Sequence, residues 1–400
     1  MNRLLISILA FLLTLSLQAQ DSLLYHILQA EQYINEEQDS LALVLLNQEA
    51  EENYYSCFLK GKALLNLSKK EAALKAFKKS SSLKTGYADL NISEIYATLK
   101  QLDSTYFYLN SYLSSPYKIS YGAIYNKKSF ENIKQTAAWT SFWKKDYYTE
   151  EEKTLQQAIY YKSKGEILNA LDILDELISN NKNNAYAYYY RALFIVKLNK
   201  DYKSALKDLQ KALKIQAANY DFNILCGKYY LQVYKYKKAL SCFVQANKVF
   251  PYKLENYYYL AETFYREGNY DKAEASILYY LKVKPLSKKA IFLAGNIYLD
   301  HQKNEESISI FTKGVYQYPR DIQFVIGRGK AYMQNEEYRK AGRDFNTAID
   351  LDARNGELWF LKAMAYFHQE DRKQKACKLW KRARSLNYYQ ADEYLLKYCN

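Results

Sequence analysis

The 400 residues include 49% apolar side chains, enough for a large core, while 12 glycines and 4 prolines leave little material for disordered linkers. The formal charge of +14 is spread along the chain with acidic residues interleaved, which reads as solvated helix faces and argues against a dedicated nucleic-acid or anionic-surface binder. Such a binder would need a contiguous Lys/Arg patch and would release its ligand steeply with salt.

The chain opens MNRLLISILAFLLTLSLQAQ, with Arg3, an apolar run from Leu4 to Leu17 and a small residue at Ala19. That is the layout of a secretory leader, residues 1–19, and is too short for an ordinary membrane span. Leu17 is large for the third position before the cleavage site, so an uncleaved anchor is the alternative. No cysteine precedes Cys57, which removes a lipoprotein acceptor, and no later apolar stretch is long enough to cross a bilayer. The sequence therefore predicts an exported, soluble, periplasmic protein.

From 20 to 119 the pattern is a degenerate helical block. Ala30, Tyr33, Ala42 and Leu46 suggest one short helix pair, Gly61, Leu64, Ala73 and Phe77 a second, and Ser93, Tyr96, Thr105 and Leu109 a third. Residues 120–150 break the spacing. Phe130, Ile133, Trp139, Phe142 and Trp143 there read as one or two helices at a joint.

Beyond 150 the chain repeats. Pro251, Pro285 and Pro319 stand 34 residues apart, and aligning on them brings small residues into two columns about twelve positions apart. The first holds Ala158, Ala192, Gly227, Ala261, Gly295, Gly329 and Ala363; the second holds Ala170, Ala205, Ala239, Ala273, Ser307, Ala341 and Ala376. Four residues after the second come Leu174, Leu209, Phe243, Ile277, Phe311, Phe345 and Trp380. Small residues where two antiparallel helices cross, faced by large ones, give a buried seam. KGEI at 164–167, EGNY at 267–270 and NEEY at 335–338 read as the reversals between paired helices.

This pattern resembles the tetratricopeptide repeat, a helix–turn–helix unit of 34 residues. Residues 220–251 match it most fully, with Gly227, Tyr230, Ala239, Phe243, Ala246 and Pro251, while Trp359 is the one tryptophan at the early aromatic position. The resemblance implies an all-α solenoid of stacked helix pairs in a right-handed superhelix, with seven units over 151–387 and a capping helix over 388–400; no His/Cys/Asp/Glu set has metal-ligand spacing and no glycine loop would cradle a phosphate, so no metal or cofactor is expected. The leader makes it an exported bacterial member. The resemblance also places the first helix of each unit on the concave face. There the candidate partner-binding residues are Lys228, Tyr258, Glu262, Tyr265, Arg266, Phe292, Asn296, Lys330, Phe360 and Phe367.

A groove of aromatic pockets with polar groups between them suits an extended peptide or a partner's helix. Lys228, Asn296 and Lys330 do not reproduce the carboxylate clamp of members that bind acidic tails, so that ligand does not carry over. The sequence thus predicts a protein-binding scaffold of the bacterial cell envelope, with an extracytoplasmic glycan-binding module as the alternative because tyrosines also stack on sugars. His26, His301 and His368 fall in separate units and nothing supplies a nucleophile with its base, so no enzyme is expected. The five cysteines read as small buried apolar residues. Cys226 with Cys242, or Cys377 with Cys399, would be bridged only if packing brought their Cα atoms within about 7 Å.

Overall fold

The computed structural model describes residues 22–48, 52–369 and 372–399, so the leader expectation lies outside the described residues. Those residues form a succession of helix pairs without a strand, and no described helix is long and apolar enough to cross a membrane. Three pairs come first: α1 (22–35) with α2 (Asp39–Gln48), α3 (Tyr54–Asn66) with α4 (Lys70–Leu83), and α5 (Asp89–Thr98) with α6 (Leu102–Leu113). A short α7 (Tyr121–Tyr125), a 3-10 turn (Lys128–Ile133) and α8 (Ala137–Phe142) follow. The chain divides into two compact units after Lys253.

The first unit continues with α9 (Glu150–Ser163) and α10 (Ile167–Asn180), α11 (Ala185–Asn199) and α12 (Tyr202–Ile215), and α13 (Tyr220–Gln232) and α14 (Tyr236–Val249). The second holds α15 (Glu255–Arg266) and α16 (Tyr270–Val283), α17 (Lys288–Asp300) and α18 (Asn304–Gln317), α19 (Ile322–Gln334) and α20 (Tyr338–Leu351), α21 (Gly356–Phe367) and α22 (Lys373–Ser385), then α23 (Ala391–Tyr398). The joint expected at 120–150 is not where the chain divides. Phe130, Ile133 and Trp139 join one core with Leu109 and Leu113 of α6, so this stretch is packed into the first unit.

Helix starts are set locally. Asn184, Asp201, Asn219, Asn269, Asp321 and Asn355 each accept a first-turn backbone N–H, and Thr149 with Glu152 forms a reciprocal capping box. From α9 to α20, the reversal within each pair uses a residue in the left-handed region: Gly165, Lys200, Tyr234, Gly268, Gln302 and Glu336 in turn. The second helices of these six pairs are all 14 residues long, while the first helices run from 12 to 15. Only two of the six left-handed residues are glycine, so the other turns hold a Cβ in a costly conformation. Glu336→Gly is expected to raise stability by about 0.5–1 kcal/mol in denaturant unfolding, as relief of that strain exceeds the entropy added to the unfolded chain.

The columns read from the sequence are the core. Leu174, Leu209, Phe243, Ile277, Phe311, Phe345 and Trp380 are fully buried, as are the alanines facing them. Ser307 fills the Ala column by donating its hydroxyl to the carbonyl of Gly295 at 3.0 Å. Glycine and phenylalanine go together: a Cβ placed on Gly61, Gly227, Gly295 or Gly329 would lie 2.6 Å from the ring of Phe77, Phe243, Phe311 or Phe345 respectively. Where the small residue is Ala158, Ala192 or Ala261, its facing residue is Leu174, Leu209 or Ile277. The pair trades a methyl on one helix for ring atoms on the other, which conserves the volume at the crossing. Ala363 facing Trp380 departs from this trade.

Within the first unit a further contact links residues far apart in sequence. Tyr55 of α3, 3% exposed, packs against Phe250 and Tyr252 with ring centroids 5.2 and 5.1 Å away, and its hydroxyl donates to Glu31 at 2.8 Å. Lys253 pairs with the same Glu31 at 3.0 Å, across 222 residues of sequence. The segment after α14 thereby seals the core of the first two helix pairs.

Candidate functional site

Within each unit, successive first helices approach one another more closely than successive second helices do: α9 touches α11, α15 touches α17 and α17 touches α19. A stack whose first helices crowd together must curve toward them, so those helices line its concave side. Nine of the ten candidate residues stand on first helices of the second unit, and Lys228 stands on α13 of the first.

Tyr258 is half-buried, with the Lys289 ammonium 4.2 Å from its ring centroid and the Tyr280 ring edge-on at 5.8 Å. Lys289 also pairs with Glu255, which accepts the Tyr280 hydroxyl at 2.9 Å. Burial, aided by the neighbouring Glu262 carboxylate, pushes the Tyr258 phenol up to about 12, so it acts as a neutral donor. One turn on, the Tyr265 hydroxyl donates to Asp300 of α17 at 2.7 Å, tying two first helices together. Arg266 is exposed beside them, while Asn296 is half-buried, and Lys330 pairs with Glu357 at 3.3 Å.

Three aromatic candidates are committed to packing. Phe292 lies among Phe311 and Phe324, with centroids at 6.2 and 5.9 Å. Phe360 meets Tyr388 and Tyr394, and Phe367 meets Trp380 and Tyr398, so the last helix covers both. The face left for contact is Tyr258, Glu262, Tyr265 and Arg266 with Asn296 and Lys330 alongside.

The Glu262 carboxyl is held above its ordinary value because desolvation outweighs the pull of Arg266 and Lys289. A carboxyl raised in the folded state binds its proton more tightly there than in the unfolded chain. Its favourable contribution is therefore complete below the unfolded carboxyl value and is lost as pH rises through the folded one. Glu262→Gln is accordingly expected to raise the thermal midpoint at pH 7, with the gain shrinking toward pH 4. Thermal melts of both proteins across that range check the sign.

Several features were not read from the sequence. The Tyr54, Tyr55, Tyr87 and Tyr117 cluster, with Lys84 4.0 Å over the Tyr54 ring, belongs to the weakly patterned N-terminal block. Lysines poised over tyrosine rings recur here, which accounts for part of the basic and tyrosine-rich composition without a ligand. The cysteine reading also needs correction. Cys377 and Cys399 are joined, with Cα atoms 5.6 Å apart, because α23 folds back over α22 and brings the end of the chain beside it.

Comparison with known proteins adds a family description. Models described as the tetratricopeptide repeat match residues 54–86, 258–322 and 326–386. The chain is 25% identical over 218 residues to a DnaJ homolog subfamily C member 7 homolog of Schizosaccharomyces pombe, covering 50% of this chain and 46% of that protein. It is 25% identical over 246 residues to a TPR repeat-containing protein of Methanocaldococcus jannaschii, covering 55% and 40%. The chain thus spans less than half the length of these curated relatives. Among solved structures, the C-terminal part of a TPR repeat-containing protein from Cytophaga hutchinsonii superposes with a TM-score of 0.50 at 19% identity, over 60% of this chain and 98% of that one. That likeness concerns the fold alone.

Proposed function

We propose that this stack of tetratricopeptide repeats is a non-catalytic scaffold that holds a peptide or helix of a partner protein against the first helices of its second unit. The observation that carries the reading is the unit's division of labour. Large residues at the repeat columns are consumed by the core, whereas Tyr258, Glu262, Tyr265 and Arg266 form a mixed aromatic and charged strip on the concave side. A partner would find alternating apolar and charged contacts along α15, continued across the next two first helices by Asn296 and Lys330, which follow Glu262 at the repeat spacing.

We place the scaffold at the bacterial cell envelope. The leader-like first twenty residues support export, and the Cys377–Cys399 link suits an oxidising compartment. N-terminal sequencing of protein recovered from the periplasmic fraction is expected to begin just after Ala19. Retention of residues 1–19 in a membrane fraction would overturn this part of the reading.

A glycan ligand is the second reading, favoured by polar groups beside the two groove tyrosines: Lys289 at Tyr258 and Asp300 at Tyr265. Affinity capture from envelope extracts with wild type and with Tyr258→Ala/Tyr265→Ala separates the two. Loss of a protease-sensitive partner in the double variant supports the protein-binding reading; loss of a polysaccharide that survives protease supports the glycan. Equal capture by both proteins would remove this strip from consideration.

A further inference from the structure

In three helix pairs, the residue just before the small column and the residue just before the facing large one meet across the crossing. In α11 and α12 these are Arg191 and Asp208, joined by two hydrogen bonds of 2.8 and 2.7 Å. In α19 and α20 they are Arg328 and Asp344, again joined by two, both at 2.8 Å. In α13 and α14 the same two positions are Cys226 and Cys242. Their thiols are within hydrogen-bonding reach of each other, at a crossing so tight that a Cβ on neighbouring Gly227 would lie 2.6 Å from the Phe243 ring.

We propose that Cys226 and Cys242 are a redox-active dithiol that closes to a reversible disulfide by exchange with a donor disulfide, with Cys242 as the entry sulfur and Cys226 as the resolving one. The roles follow from access. Cys226 is 1% exposed, whereas Cys242 is half-buried and lines a surface cavity with Leu213, Asn223, Lys237 and Gln245. Contact with Cys226 holds the Cys242 thiol below its ordinary value, and the same contact together with burial pushes Cys226 up, which suits the order.

In the first step Cys242 gives its proton to solvent, and its thiolate attacks one sulfur of the donor, forming a mixed disulfide and releasing one donor thiolate. In the second, Cys226 loses its proton as its sulfur attacks Cys242 Sγ, forming the bond within the repeat and expelling the second donor thiolate. The two cysteines surrender two electrons and two protons, and the donor disulfide takes up both as two thiols. The product ties α13 to α14 beside the contact of Gly227 with Phe243. Cys377 and Cys399 are already joined, and Cys57 is buried in α3, so the pair is chemically separate from the remaining cysteines.

The test uses the full-length protein and oxidised glutathione as the donor, with alkylation in denaturant and peptide mapping. Alkylatable thiols are expected to fall from three to one, with the tryptic peptides ending at Lys228 and Lys248 linked, and mild dithiothreitol should restore all three. In Cys242→Ser the linked peptides should be absent and Cys226 should stay alkylatable. Three thiols remaining after treatment would overturn the proposal. So would glutathione persisting on Cys242 without transfer to Cys226, or a link from either residue to Cys57.

Discussion

Gly295→Ala is expected to destabilise the second unit by about 1–3 kcal/mol, the usual cost of forcing an added methyl into a well-packed crossing. The Phe311 ring is confined on two sides, since a Cβ on Gly295 would lie 2.6 Å from it and one on Gly327 2.4 Å. The ring therefore has no direction in which to yield cheaply. Pairing the change with Phe311→Leu recreates the Ala and Leu combination present at Ala192 and Leu209, and should recover most of the loss. Denaturant unfolding of wild type, both single variants and the double variant gives the coupling term. Additive single effects would mean that the glycine is required for its backbone and not for the ring it faces.

The second large effect is at the seal of the first unit. Tyr55→Ala is expected to cost about 3–5 kcal/mol, the range for deleting a buried aromatic side chain. Its signature should be long-range. Amide exchange should accelerate both around Glu31 and at residues 250–253, because the Tyr55 ring and the Lys253–Glu31 pair hold those segments together. Tyr160→Ala, at an aromatic that is 57% exposed, serves as the control and should stay within about 0.5 kcal/mol of wild type. Faster exchange confined to α3 alone would show that the seal contributes little.

The repeat was legible because it is written many times. A single Ala or Phe says little, but seven small residues at a fixed period, each answered by a large one, specify a helix crossing at every unit. The contacts made once were not legible. Tyr55 meets Phe250 and Tyr252 through the path of the whole first unit, and no local period encodes that path. Phe360 and Phe367 follow the groove spacing, yet at the last pair there is no further repeat, and α23 covers them. Its apolar residues Tyr394, Leu395 and Tyr398, at helical spacing, were the available sign that the end of the chain would pack inward. The same helix brings Cys399 to Cys377, a pairing that sequence distance alone left open.

Partner binding on the concave side is tested most directly by photocrosslinking in cells from a probe amino acid at Tyr265. The control carries the probe at Tyr316, a residue of the second helix α18 that is 82% exposed. A discrete protein adduct from Tyr265, absent from Tyr316 and diminished by Arg266→Ala, is the expected result. A specific adduct from Tyr316 with none from Tyr265 would contradict it.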